Sequence, residues 1–305
     1  MNDLSGKNVS SMRILFAITL SLISYNLPAQ ELETETTRLL PKGWLKLGAA
    51  YEYQTSSQGK ELAIPFILEY GISNRLEITA EPIVFSSIKP DNAKTTNGIG
   101  DLELTLTYLL LKEKTIMPAL AVGGEIKFPT AKNDQIGTGK TDYGLYLIGS
   151  KKSGDLDLNA NLNYTYVGKV PGANLQDIFF FAAAFTYNIK DKYLLFGEVF
   201  GNTSSTDVPE NFGINTGILV PEAAGNELVG TLDLGYYLIP NLLLSFSTSY
   251  DNNNALLFRP AISIETNLLG RHDIKKKISR DMAQHYEFLK TGIEKFHFNL
   301  THIFN

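Results

Sequence analysis

From Leu102 to Tyr108 the chain alternates apolar and polar residues without a miss, then turns fully apolar and stops at the charges Lys112, Glu113 and Lys114. A period of two over such a stretch predicts a β-strand with one greasy and one polar face. The unit recurs from Trp44 to Asn267. Strands are predicted over 44–54, 61–70, 75–87, 101–111, 117–129, 142–151, 155–167, 177–189, 193–203, 227–238, 241–251 and 256–267. That makes about twelve strands of about ten residues each, the length a tilted membrane-crossing strand needs.

The connections sort into two alternating kinds. Gly71–Asn74, Lys112–Thr115, Ser153–Gly154, Lys190–Lys192 and Ile239–Asn241 are tight. Thr55–Lys60, Ile88–Gly100, Thr130–Thr141, Gly168–Gln176, Ser204–Asn226 and the short Asp251–Asn254 are polar, mostly longer, and rich in Gly, Asn, Ser and Thr. Outer-membrane barrels carry this asymmetry, with short periplasmic turns and longer extracellular loops. Placing the tight set in the periplasm puts both chain ends there and leaves an even strand number. The expected fold is therefore all-β: a transmembrane up-and-down antiparallel β-barrel over 44–267.

The polar faces define a candidate lumen. Glu52, Glu77, Glu81, Glu103, Glu125, Asp157, Glu198, Asp233 and Glu265 are its acids, joined by Glu69, and Lys46, Arg75, Lys127 and Arg259 are the facing bases. Their expected role is to line a transport path. The acid excess favours cations or neutral solutes over anions. Arg259 and Glu52 fall on the last and first strands, which closure makes neighbours, so they are expected to pair. Leu102, Leu104, Leu106 and Tyr108 are expected to face lipid. Tyrosines and phenylalanines near strand ends, such as Tyr70, Tyr164 and Tyr250, sit where interfacial girdles belong. Pro65, Pro82, Pro118 and Pro260 fall inside predicted strands and cannot donate to a ladder, so bulges or displaced boundaries are expected there.

The ends of the chain differ from the repeat. Met12 and Arg13 precede an apolar run, Ile14 to Tyr25, followed by Pro28 and Ala29. The run is short for a spanning helix, which needs about 20 apolar residues. It reads as a signal peptide over 1–30, cleaved near Ala29, with translation starting at Met1 or Met12. Beyond Leu268, residues 268–305 form a charged periplasmic tail. Helical spacing of Ile274, Ile278, Met282, His285, Leu289 and Ile293 predicts an amphipathic helix within 272–295.

Composition narrows the chemistry. Of 305 residues none is cysteine, which excludes disulfides and thiolate metal sites, and the net charge of −5 gives no support to a nucleic-acid partner. All four histidines, His272, His285, His297 and His302, lie in the tail, so no strand offers a histidine base or ligand. Gly137, Gly139, Lys140 and Thr141 imitate the end of a phosphate loop, but Asp134 stands where its first glycine belongs and a strand follows. The carboxylates are spread around a wall, without the paired geometry of glycoside hydrolysis. No enzyme activity, cofactor or metal is expected.

Several short motifs occur in a particular order. Gly98, Gly100 and Asp101 open a strand. Pro118–Ala121 runs on to Phe128, Pro129 and Thr130; then come Gly137, Gly139, Thr141 and Asp142; Asp233, Gly235 and Tyr236 precede the last hairpin. In this order they resemble the outer-membrane family named for the MetA-pathway of phenol degradation. Family members often have glycine where Ala131 stands, and they commonly end at the last strand. The resemblance implies a porin-like transporter for small molecules, aromatic and hydrophobic ones included. It carries no catalytic motif.

The expectation is an outer-membrane channel of a Gram-negative bacterium. Its partners would be outer-membrane lipid, a small solute and the barrel-assembly machinery. A structural or adhesive barrel with an occluded lumen, working through Ser204–Asn226, is the second reading, and a soluble exported β-protein the third.

Overall fold

A computed structural model describes residues 33–91, 93–133, 135–171, 175–205 and 226–268. The expected signal peptide, the helical tail, most of Ser204–Asn226 and all four histidines lie outside the described residues.

The strands are β1 (Trp44–Ala50), β2 (Glu52–Thr55), β3 (Gly59–Ser73), β4 (Leu76–Pro90), β5 (Thr96–Gly98), β6 (Leu102–Leu111), β7 (Ala119–Phe128), β8 (Asp142–Ser153), β9 (Leu156–Tyr166), β10 (Ile178–Ile189), β11 (Tyr193–Asn202), β12 (Glu227–Ile239), β13 (Leu242–Asp251) and β14 (Leu256–Asn267). β1 and β2 are halves of one stave, both paired with β3 and both closing on β14. β5 is a short flap on β4 that β6 also adjoins. Fourteen segments thus make twelve staves in one closed antiparallel barrel. Closure pairs both edges of every stave, which is what allows a sheet to sit in hydrocarbon without free backbone groups.

The predicted alternation sets the two faces. Leu106, Leu145, Leu232 and Leu234 stand exposed on the outside, Leu145 and Leu234 at 66%. Thr105, Thr107, Asn159, Asn161, Asn163, Thr231 and Ser249 are buried on the inside. A greasy outside around a polar inside inverts a soluble barrel and suits lipid. The interior is nevertheless not uniformly polar. Near the tight-turn end Leu109, Ala119, Ala121 and Ile148 form one apolar cluster, and Leu194 and Leu243 another.

The prolines mark breaks in the wall. A register shift separates Ile64 from Pro65. The β3–β4 ladder passes from Pro65↔Ile83 to Leu68↔Ala80 without pairing Pro82. Pro118 lies just before β7, so the predicted start at 117 moves inward. Beside Pro260 the first stave breaks at Tyr51, whose N–H donates to the Pro260 carbonyl at 3.0 Å.

The loop asymmetry holds with one change. The β6–β7 connection runs from Lys112 to Pro118, longer than the predicted Lys112–Thr115. The β10–β11 turn places Lys190 and Asp191 at φ of 55° and 52°, the central positions of a turn closed by the Lys192 N–H donating to the Ile189 carbonyl at 3.2 Å. Arg75, expected to face the lumen, lies just outside β4 and is exposed at a turn.

Candidate functional site: an acid-lined lumen and its N-terminal strap

Cross-strand register assembles the interior charges into rows. Glu81 lies opposite Glu103, Glu103 opposite Lys127, and Lys127 opposite Asp142. The next row places Lys46 opposite Glu69, Glu69 opposite Thr79, Thr79 opposite Thr105, and Thr105 opposite Glu125. Directly opposed side chains on one face are within reach of each other. Lys46 Nζ accordingly lies 2.7 Å from Glu69 Oε1. Tyr146 donates from its hydroxyl to Glu125 Oε2 at 2.7 Å. Gly144 makes that fit possible, since a Cβ there would come within 3.2 Å of the Glu125 Cβ.

A cavity of about 240 Å³ opens inside this wall. Of the residues expected in the lumen, Glu52, Glu77, Glu81, Glu103, Glu125 and Arg259 line it. Together with Glu33, Glu35 and Glu69 the lining holds eight glutamates against three bases, Arg38, Lys46 and Arg259. Pro65, Ile67 and Ile83 add an apolar patch beside the ladder break at Pro82. The expected pair forms: Arg259 Nε lies 3.0 Å from Glu52 Oε1, an ion pair whose N–H is not aligned as a hydrogen bond.

The other expected residues sit elsewhere in the interior. Asp233 and Glu265 are buried, and Glu265 Oε2 accepts no hydrogen bond. Lys127 belongs to the long-loop end, where it pairs with Asp142 and lies 3.9 Å from Asp101. There three of the motifs meet, those at Gly100 and Asp101, at Thr130, and at Gly137 to Asp142. Thr130 donates from Oγ1 to the Gly100 carbonyl at 2.9 Å, and Asp101 accepts the Ala131 N–H at 3.0 Å. Gly137 packs so closely on Asp101 that a Cβ would come within 2.7 Å of its carboxylate. Asp142 accepts the Gly168 N–H at 2.8 Å. These residues are a clasp between loops.

Asp157 and Glu198 have partners that the strand pattern does not reveal. Residues 33–41 run inside the barrel as a strap. Glu198 Oε1 accepts the Glu33 N–H at 3.2 Å, the Thr34 N–H at 2.6 Å and the Thr34 hydroxyl. Asn161 takes the Glu35 N–H on Oδ1 and donates back to the Glu35 carbonyl at 2.9 Å. The Thr37 N–H donates to Ser150 Oγ at 3.0 Å, and the Leu40 N–H to Glu77 Oε2 at 2.6 Å. Leu39 packs on the cluster of Leu109, Ala119, Ala121 and Ile148.

Arg38 fastens the strap at the tight-turn end. Its Nη2 and Nε reach Asp157 Oδ1 and Oδ2 at 2.7 and 2.9 Å, a bidentate fork. Nη2 also lies 2.9 Å from Glu113 in the β6–β7 turn. Partial burial pushes the Glu113 carboxyl up. The Lys151 ammonium, the Lys152 N–H and Arg38 outweigh that and bring it down to about 2. Among the described residues no cluster of metal-ligand side chains is present.

The fold is that of known outer-membrane pores. An outer-membrane channel from Pseudomonas putida F1 superposes with a TM-score of 0.57 at 13% identity, over 77% of this chain and 100% of that one. The NanC porin does so with a TM-score of 0.50 at 14% identity, over 72% and 98%. No curated protein matches the sequence. The family model described as "Putative MetA-pathway of phenol degradation" matches residues 39–218, which span the strap's end, the clasp and most of the wall, and the chain belongs to that family.

Proposed function

We propose that the chain is an outer-membrane channel of a Gram-negative bacterium for small molecules without negative charge, phenol-like aromatics included. The observation that carries this is the acid-lined cavity inside a closed wall whose outer face is apolar. Eight glutamates against three bases give a negative field, which concentrates cations and repels carboxylates. A neutral phenol crosses such a field without penalty, and Pro65, Ile67 and Ile83 offer its ring an apolar surface. The family's name and the channels that share the fold support the same reading. The outward leucines would contact lipid, the tight turns would face the periplasm, and insertion would use the barrel-assembly machinery.

The test is a planar bilayer under a salt gradient. The expected reversal potential is that of a cation-selective pore, and liposomes holding the protein should admit phenol faster than benzoate. Anion selectivity would overturn the charge argument.

One observation favours a second reading, a structural barrel with a filled lumen: the strap occupies the interior beside the cavity. Removing the strap separates the two readings.

A further inference from the structure

We propose that residues 33–41 are a gate, closing the lumen when bound to the wall and opening it when released; this rests on the channel reading above. The strap reaches side chains on four separate staves. Glu77 on β4, Ser150 on β8, Asn161 on β9 and Glu198 on β11 all bond to it. A segment bonded to staves on opposite sides of a barrel lies across its bore.

Its attachment differs in kind from that of the wall. Each stave is held by a ladder of backbone hydrogen bonds, which break only together. Among the described residues no backbone-to-backbone bond leaves residues 33–40. The strap is held instead by single side-chain bonds and one arginine fork, each of which can part by itself. Its wall partners are Ser, Asn, Asp and Glu side chains, which water can satisfy once the strap leaves. The apolar packing that release gives up is that of Leu39 on its cluster and of the buried Leu40 beside the pivot. Release therefore strands few buried polar groups, whereas withdrawing any stave would strand a whole ladder.

The strap also has a defined pivot. Gly43 takes φ of 81°, a conformation that L side chains rarely adopt. Its N–H donates to the Gly71 carbonyl at 2.8 Å, and Trp44 N–H to the Pro41 carbonyl at 3.0 Å. Gly71 packs so tightly beneath Pro41 that a Cβ would come within 2.3 Å of the Pro41 oxygen. The chain is pinned at residues 41–44, so residues 33–40 swing from one fixed point at the tight-turn mouth.

The cysteine-free sequence makes the test clean. One variant lacks residues 33–40. A second carries Thr37→Cys with Ser150→Cys, neighbours whose parents meet through the Thr37 N–H and Ser150 Oγ at 3.0 Å and which oxidation would tie. Both are compared with the full chain in planar bilayers, after heat-modifiable gel mobility and mass spectrometry establish folding and the bond. Sustained openings several-fold larger in the deletion variant, and closure of the double-cysteine channel on oxidation with reopening by reductant, are expected. Equal, non-zero conductance of full chain and deletion, or of tied and reduced forms, overturns the gate and leaves the channel reading standing. A folded deletion variant that conducts nothing overturns both.

Discussion

Glu198→Gln tests the strap's upper anchor quantitatively. Oε1 of Glu198 takes three donors from Glu33 and Thr34, and the side chain is 3% exposed, so solvent screening does little to weaken these bonds. Hydrogen bonds to a charged group contribute roughly 1.5–3 kcal/mol each, and neutral ones roughly 0.5–1.5. Glutamine keeps the shape and an acceptor but loses the charge. Three donors sharing one oxygen do not add fully, so the expected loss is about 2 kcal/mol for the strap as a unit. That raises the released fraction about 30-fold, at about 1.4 kcal/mol per factor of ten. The reporter is Thr37→Cys. Thr37 is 5% exposed and its hydroxyl has no hydrogen-bond partner, so the replacement removes no bond. Its thiol can react with a bulky maleimide only when the strap is out. With Glu198→Gln added, labelling should quicken about 30-fold while gel mobility of the folded barrel stays unchanged. A change under about threefold, well below the 1.4 kcal/mol that a factor of ten requires, would refute the energetic role given to Glu198.

Three further outcomes are expected. Arg38→Lys cannot reproduce the bidentate fork on Asp157, so the same thiol assay should show release increased about tenfold, near 1.4 kcal/mol. Glu113 holds Arg38 as a carboxylate with a lowered pKa, so its contribution is fully present above the ordinary value of 4.5 and is lost as pH falls through about 2. Hydrogen exchange of the strap peptide, corrected for intrinsic rates, should therefore reveal that loss across this window in the full chain and lack it in Glu113→Gln. Lys127→Met leaves Asp101 and Asp142 facing each other in the clasp, which should destabilise the barrel by roughly 3 kcal/mol in urea refolding and open the β7–β8 loop to protease.

The wall was largely legible in the chain because a membrane strand is a local code. Side chains alternate with a period of two, and each stave from β6 to β14 lies within about two residues of its predicted bounds, the scatter usual for strand ends. The prolines were legible as breaks for the same reason: a missing N–H is a property of one residue. Arg259 and Glu52 could be paired in advance because a sheet in a membrane must close, which sets the last stave beside the first. The clasp was visible only as ordered fragments. Asp101, Lys127 and Asp142 had to be brought together by register before their chemistry could be read.

The strap was not legible, for a physical reason. Residues 31–41 carry no apolar period of two and no helical spacing: threonines and charges, with Leu32, Leu39 and Leu40, lead up to Pro41. Its partners lie far along the chain, Glu198 being 164 residues from Thr34 and Ser150 113 from Thr37. A backbone N–H gives no sign in sequence of the distant carboxylate it will meet. By itself, then, the sequence determined the staves, their two faces and the negative sign of the lumen, because these follow from local alternation and from composition. Only the tertiary structure decided which glutamates share one cavity, and that an N-terminal segment stands in the bore, because both depend on where a closed wall places residues that the chain keeps far apart.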